Sequence, residues 1–189
     1  IHGLSYEEIA ARGGGILNSA DSLHNTSEDE LYNQAMERVH EVIAMGTGAI
    51  EIKSGYGLTT EDELKMLRVI GRIAKNTPLA VKATFLGAHA VPRNYKGRQT
   101  EYVELICDTM LPEVAKQGIA EFVDVFCDRG FFTVEQTEQI VTKGAEYDLK
   151  AKIHANELDY SGGVQLGVKL GALSVDHLES SGEEEIEAL

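Results

Sequence analysis

The sequence predicts an α/β fold built on a parallel β-sheet, and three observations support this prediction. Short apolar runs alternate with helix-like segments at intervals of roughly 23 to 42 residues, the spacing of βαβ units. The runs are mostly apolar, as expected for strands covered on both faces. No glycine-rich dinucleotide or phosphate loop follows the first strand, which disfavours a dinucleotide-binding fold. We therefore expect a partial (β/α)₈ barrel with about five of its eight strands.

The predicted helices follow capping boxes, in which Ser or Thr pairs with Glu or Gln three residues later. These pairs are Ser27 with Glu30, Thr60 with Glu63, Thr133 with Gln136 and Ser181 with Glu184. Another helical stretch, 99–116, contains Pro112 and should kink or divide there. A short helix is expected from about Gly162. The helices separate five strands, which end at Ser54, run through Phe85, span Phe122–Cys127, end at His154 and end at His177.

Composition limits the function classes. The 189 residues are 43% hydrophobic and 25% charged, with a net charge of −14, which is typical of one globular domain or a large part of one. No basic cluster is present, which argues against nucleic acid and anionic membranes as partners. Cys107 and Cys127 lack the spacing of a metal site or a disulfide framework, which favours a reducing, cytoplasmic setting. No apolar run is long enough to span a membrane.

The two ends of the chain suggest a section of a longer domain. No strand precedes the first helix, and the sequence stops within a helix. Five strands do not close an eight-stranded barrel. We therefore expect residues 1–189 to form the central part of a single (β/α)₈ domain, with its N- and C-terminal parts absent.

Chemically capable side chains follow four of the predicted strands. His154 and Glu157 come from one strand end and His177 from the next, while Tyr56 and His89 follow the first two strands. In (β/α)₈ barrels the chemistry lies at the carboxyl ends of the strands. Tyr56 lies between two glycines, which favours substrate contact over packing, and His89 is placed similarly. This pattern predicts an enzyme.

His154 is the metal-ligand candidate, because neutral imidazole suits Zn²⁺ or Fe²⁺. A catalytic zinc needs about three protein ligands, and the chain has no His-x-His pair, so other ligands must come from outside it. A carboxylated Lys53 bridging two metals is disfavoured, because the strand where such a lysine usually falls, Phe122–Cys127, contains none. We expect a mononuclear site.

Each of these residues also has a structural interpretation. His154 could be an ordinary core histidine, and Glu157 a surface carboxylate at a helix entry. His177 could simply be hydrogen-bonded in the core by Asp176. The functional alternative makes Glu157 a neighbour of a metal-bound water or substrate N–H, and His177 a proton carrier.

Several strings closely resemble the imidazolonepropionase family of the amidohydrolase superfamily. They are Glu-Ile-Lys-Ser-Gly-Tyr-Gly-Leu (51–58), Thr-Phe-Leu-Gly-Ala-His-Ala-Val-Pro (84–92), Asp-Val-Phe-Cys (124–127), His-Ala-Asn-Glu-Leu (154–158), Ala-Leu-Ser-Val-Asp-His-Leu-Glu (172–179) and the opening 5–16. The resemblance covers essentially the whole chain.

The resemblance implies a role for each candidate. His154 would bind one divalent metal ion, Zn²⁺ first and Fe second. Tyr56 and His89 would contact the substrate, as would Glu157 and His177, which would also be catalytic. The family's His-x-His pair, its last-strand Asp, its propionate-binding Arg and its small β-sandwich domain are not in this sequence. The 189 residues alone are therefore expected to be inactive.

The implied reaction is hydrolysis of the cyclic amide of 4-imidazolone-5-propanoate to N-formimidoyl-L-glutamate, in histidine degradation. The full-length enzyme is implied to be a homodimer. Two alternatives remain open. One is another metal-dependent amidohydrolase or deaminase that acts on a heterocyclic substrate. The other is an inactive barrel fragment that serves only as a structural module.

Overall fold

The computed structural model describes residues 15–189, which form five parallel strands alternating with helices. The opening string that resembles the family spans 5–16, and its residues 5–14 lie outside the described part of the chain. The strands are β1 (Ala49–Lys53), β2 (Ala80–Ala88), β3 (Phe122–Cys127), β4 (Lys150–Ala155) and β5 (Ser174–His177). The α-helices are α1 (Ile16–Asn25), α2 (Glu28–Ala44), α3 (Thr60–Lys75), α4 (Gln99–Leu105), α5 (Leu111–Gln117), α6 (Val134–Ala145), α7 (Gly163–Leu170) and α8 (Glu183–Ala188).

The sheet has the strand order β1-β2-β3-β4-β5, and every neighbouring pair is parallel. Sequential parallel strands joined by helices are the arrangement of half a (β/α)₈ barrel, so the predicted fold class is confirmed. The carboxyl ends of all five strands meet at one edge. Side chains from loops far apart in sequence can therefore reach a common site.

The two faces of the sheet have different chemistry. The outer face carries buried apolar side chains, among them Phe85, Val123 and Ile153, which pack against the helices. Alternate residues point to the inner face, where Lys53, Asp124 and other charged side chains contact one another. An inner layer of ion pairs replaces the branched apolar side chains that usually fill a barrel.

Two of the four predicted helix starts are confirmed. Ser27 accepts a hydrogen bond from the Glu30 N–H, and Thr133 with Gln136 forms a complete capping box. The other two are displaced by one residue. Helix α3 is capped by Thr59, and α8 by Gly182, whose N–H donates to Glu185. In both segments two neighbouring residues each have an acidic residue three positions later, so the sequence pattern does not show which of the two is the cap.

The stretch with Pro112 divides as expected, although its helical segments follow one another directly. A π-helical turn, Ile106–Met110, connects α4 to α5, and Pro112 lies in the first turn of α5. Proline has no N–H to donate to the preceding turn, and a widened turn tolerates that loss.

Both cysteines, Cys107 and Cys127, are buried free thiols. Burial raises the pKa of the Cys107 thiol to about 11. In the part of the chain that the structure describes, no helix is both long and apolar enough to cross a membrane.

Candidate active site at the carboxyl ends of the strands

A cavity of about 330 Å³ lies where the strand ends converge. Its lining includes all five residues that the sequence singled out, which come from the carboxyl ends of four strands. They are Tyr56, His89, His154, Glu157 and His177, accompanied by Ile16, Lys53, Ser54, Leu86 and Phe126. The predicted proximity of these side chains is thus observed, while their individual roles remain predictions.

His154 is fixed by a buried carboxylate. Its Nδ1 lies 3.0 Å from Oδ1 of Asp124, which is itself completely buried. Burial alone would raise the pKa of Asp124, but the hydrogen bond from His154 and the ammonium of Lys53 lower it. Because Nδ1 is committed to a carboxylate, Nε2 is the nitrogen available to a ligand. Ligating histidines are commonly oriented by a carboxylate in this way.

Lys53 joins three carboxylates in the floor of the cavity, those of Glu51, Asp124 and Asp176. Its Nζ lies 2.7 Å from Oδ2 of Asp124 and 3.3 Å from Oδ2 of Asp176. Burial lowers the pKa of Lys53, but the Asp124 charge and the carboxylate of Glu51 outweigh burial and raise it. Lys53 is therefore stabilised as an ammonium ion, and its exclusion as a carboxylated metal bridge stays a prediction.

Asp124, His154 and Asp176 form a group that could hold a metal ion, with one ligand atom from each within 4.8 Å of the others. Lys53 already contacts both carboxylates, and Asp124 uses its second oxygen on His154. An ion would compete with this ammonium for the carboxylates, whereas within residues 15–189 no cation contacts Nε2 of His154. The residues therefore fit a metal through His154, with Asp124 as the group that orients it.

A further ionic group lies beside Lys53. Glu51 accepts hydrogen bonds from Lys152, at 2.6 Å, and from the Thr84 hydroxyl. Burial alone would raise the pKa of Glu51, but these bonds and Lys53 lower it to about 2. Together with Asp124 and Asp176, these contacts link four strands by paired charges and β2 by the neutral Thr84 hydroxyl. The floor of the cavity is consequently held rigid.

His177 and Glu157 lie against each other. Nε2 of His177 is 3.4 Å from Oε2 of Glu157, and Nδ1 is 3.3 Å from Oε1 of Glu179. The structural alternative for His177 is wrong, because Asp176 turns to Lys53 and the imidazole faces the cavity. His177 and Leu178 both have positive φ, 82° and 68°, which is uncommon for residues other than glycine.

Tyr56 and His89 form the opposite side of the cavity. Their rings meet edge to face, with centroids 4.9 Å apart. Nδ1 of His89 lies 3.0 Å from the carbonyl oxygen of Gly55. A carbonyl only accepts, so Nδ1 carries the hydrogen and Nε2 keeps its lone pair. Burial lowers the pKa of His89 to about 4, so the ring is neutral at pH 7.

Buried polar residues fix the loop that carries Glu157. Oδ2 of Asp128 accepts the N–H groups of Glu157 and Leu158, both at 2.9 Å. Asn156, fully buried with a φ of 57°, donates to the Ser180 carbonyl at 2.9 Å. This bond ties the loop after β4 to the loop after β5. Glu157 and His177 are therefore held at a defined separation.

Sequence reasoning missed the charged residues beneath the cavity. Asp124 and Asp176 orient the site, and Glu51 and Lys152 support it, yet each lies in a short strand where no local pattern marks its distant partner. The available signal was their alternation, since residues two apart on a strand share a face. Lys53 was considered only as a metal bridge.

Comparisons with known proteins give one consistent result. The chain is 58% identical over all 189 residues to a protein from Flavobacterium johnsoniae named imidazolonepropionase. It is 54% and 47% identical over the same span to proteins of that name from Christiangramia forsetii and Desulfotalea psychrophila. The chain spans 46% of the length of each of these curated relatives. A scan against protein-family models finds no match.

Proposed function

We propose that this chain is the central section of an imidazolonepropionase, the hydrolase that opens 4-imidazolone-5-propanoate to N-formimidoyl-L-glutamate. The observation that carries the proposal is the cavity in which Tyr56, His89, His154, Glu157 and His177 converge. Similarity along the whole chain to proteins of that name supports it. Because the chain spans less than half of their length, we propose that it forms the middle of one (β/α)₈ domain.

A single divalent ion, Zn²⁺ or alternatively Fe, would be held in part by Nε2 of His154. The hydrogen bond from Nδ1 to Asp124 supports this role, since it fixes the ring. When bound, such an ion lowers the pKa of a coordinated water to about 7 and polarises a carbonyl oxygen. We expect the remaining ligands to come from parts of the domain outside residues 1–189.

Glu157 and His177 are proposed to carry the protons of ring opening. Hydrolysis adds the water oxygen to the carbonyl carbon, breaks the ring C–N bond and moves a proton to the departing nitrogen. Glu157 is placed to accept the water proton. Its Oε2 is 3.4 Å from Nε2 of His177, so a small movement permits proton transfer between them. His177 can then protonate the nitrogen or stabilise the charge on oxygen.

Tyr56 and His89 are proposed to bind the ring. The neutral His89 presents the Nε2 lone pair, which can accept a hydrogen bond from a ring N–H. Tyr56 lies edge-on to it, and 38% of this residue remains exposed to a ligand. Glu157 and His177 would contact the substrate from the other side. A hydrogen-bonding site of this kind rejects analogues that lack the matching donor.

The setting of the whole enzyme is also proposed. A cytoplasmic location is supported by the two free thiols and by the metabolic reaction inferred above. Homodimerisation rests on the family resemblance alone.

The substrate proposal is tested by measuring kcat/KM of the metal-loaded full-length protein for 4-imidazolone-5-propanoate, guanine and cytosine. We expect 4-imidazolone-5-propanoate to be hydrolysed at least about a hundredfold faster, as kcat/KM, than guanine or cytosine. Mass spectrometry would identify the product. Faster deamination of a base would favour the rival deaminase, and no turnover of any compound by a folded, metal-loaded protein would favour the structural module.

A further inference from the structure

Glu63 is a completely buried carboxylate in the first turn of α3, beneath the loop that carries Tyr56. Its oxygens accept the N–H of Gly55 at 3.0 and 3.2 Å, of Gly57 at 2.8 Å and of Leu58 at 2.9 Å. A buried charge is costly unless hydrogen bonds replace its water. Here burial still dominates and raises the pKa of Glu63, while three loop N–H groups stabilise the carboxylate and are themselves satisfied by it.

The loop conformation depends on this support. Gly55 and Leu58 have φ values of 102° and 56°, both in the left-handed region. A Cβ on Gly57 would lie 2.5 Å from the backbone N of Glu63, so the loop lies directly on the helix. Three nearby N–H groups converge on one acceptor, the geometry of a backbone anion-binding nest. Here the group that occupies the nest is the Glu63 carboxylate of the same chain.

The Gly55 peptide transmits this support to the cavity. Its N–H donates to Glu63, and its carbonyl accepts from Nδ1 of His89 at 3.0 Å. That bond keeps the hydrogen of His89 on Nδ1 and leaves the Nε2 lone pair free. The next residue, Tyr56, packs its ring edge-on against His89. Glu63 lies outside the cavity lining, yet through the Gly55 peptide it supports His89 and Tyr56, which do line the cavity.

We propose that Glu63 is a positioning residue. It fixes the Gly55 peptide, and thereby the tautomer of His89 and the position of the Tyr56 ring. The inference rests on the proposed function, which assigns both side chains to substrate contact. Glu63 itself touches no substrate. Its effect is on ground-state recognition of the ring, so it should appear in KM more than in kcat.

The test is Glu63→Gln in the full-length protein. The amide keeps the shape but sets an NH₂ group where one oxygen faces the Gly55 N–H. We expect the ¹⁵N shifts of the His89 ring to move from a single Nδ1–H tautomer toward a mixture. KM for 4-imidazolone-5-propanoate should rise about tenfold while kcat changes less than about threefold. These two readouts separate positioning from simple loss of stability.

Glu185→Gln is the matched control. Glu185 is also a buried carboxylate in the first turn of a helix, it accepts the Gly182 N–H at 2.9 Å, and it does not line the cavity that contains His89. This variant should leave the His89 shifts and KM unchanged. Should Glu63→Gln fail to fold, Glu63→Asp is the second variant. Aspartate keeps the carboxylate but is one methylene shorter, and the His89 ring shifts and KM are measured in the same way.

A Glu63 variant that melts earlier but retains both the His89 shifts and KM would overturn the proposal and leave Glu63 a purely structural residue. The ring shifts do not depend on turnover. If the wild-type protein failed to hydrolyse the imidazolone, the proposed function would fall, while the shifts would still decide whether Glu63 fixes His89.

Discussion

Replacing His154 by alanine in the full-length protein is expected to remove bound metal and nearly all hydrolysis. His154 is 9% exposed, its Nδ1 is held by Asp124, and Nε2 is the atom proposed to bind the ion. An ion contributes several kcal/mol of transition-state stabilisation, so its loss should lower kcat/KM by about 10³-fold or more. Metal content by mass spectrometry and initial rates on the same sample measure both effects.

The control for this change is His40→Ala. His40 lies on α2 with an exposed side chain and does not line the cavity. This variant should bind metal and turn over substrate as the wild type does. A folded His154→Ala protein with a full complement of metal and wild-type rates would remove His154 from the site.

Glu157→Gln is expected to lower kcat by roughly 10²–10⁴, the usual contribution of a general acid–base group. The amide is nearly isosteric and retains the two backbone bonds to Asp128 that fix the loop. Metal content and thermal stability should therefore change little. Because the amide can still hydrogen-bond to the substrate, KM should stay within a few-fold. Steady-state kinetics measure the two parameters separately.

Glu179→Gln is a stringent control, since Glu179 contacts the same imidazole. Oε1 of Glu179 is 3.3 Å from Nδ1 of His177, on the opposite side of the ring from Glu157. If the proton path runs through Glu157 and Nε2, this variant should lose less than about tenfold in kcat. An equally small loss for Glu157→Gln would remove Glu157 from the mechanism.

The sheet and the five cavity residues were predictable because their signals are local. Apolar runs and turn residues define strands within a few positions, and parallel strands must place their carboxyl ends together. Hence His154 and His177, which end neighbouring strands, were expected to meet, and their ring centroids lie 5.1 Å apart.

The charged layer beneath the cavity was not predictable in the same way, because its partners are distant in sequence. Lys53 is 71 residues from Asp124 and 123 from Asp176, and Glu51 is 101 residues from Lys152. No local pattern pairs such residues. Only the closing of the sheet brings them together.

Glu63 illustrates a different limit. Its spacing from Thr60 fits a capping box, yet the cap is Thr59 with Asp62, and Glu63 turns into the loop instead. Two overlapping pairs with the same spacing make the local signal ambiguous. Both carboxylates are buried, Asp62 against His24 and Lys65 and Glu63 against the loop. Which partners each carboxylate finds depends on tertiary packing, which the pattern does not contain.

The most direct test of the central claim is a chimera. Residues 1–189 would replace the matching segment of the Flavobacterium johnsoniae protein, to which they are 58% identical, and hydrolysis of 4-imidazolone-5-propanoate would be measured. If this chain supplies the central part of the site, the chimera should retain kcat/KM within about tenfold of the parent and lose it on Glu157→Gln. A chimera that folds and binds metal but does not hydrolyse the imidazolone would contradict the account.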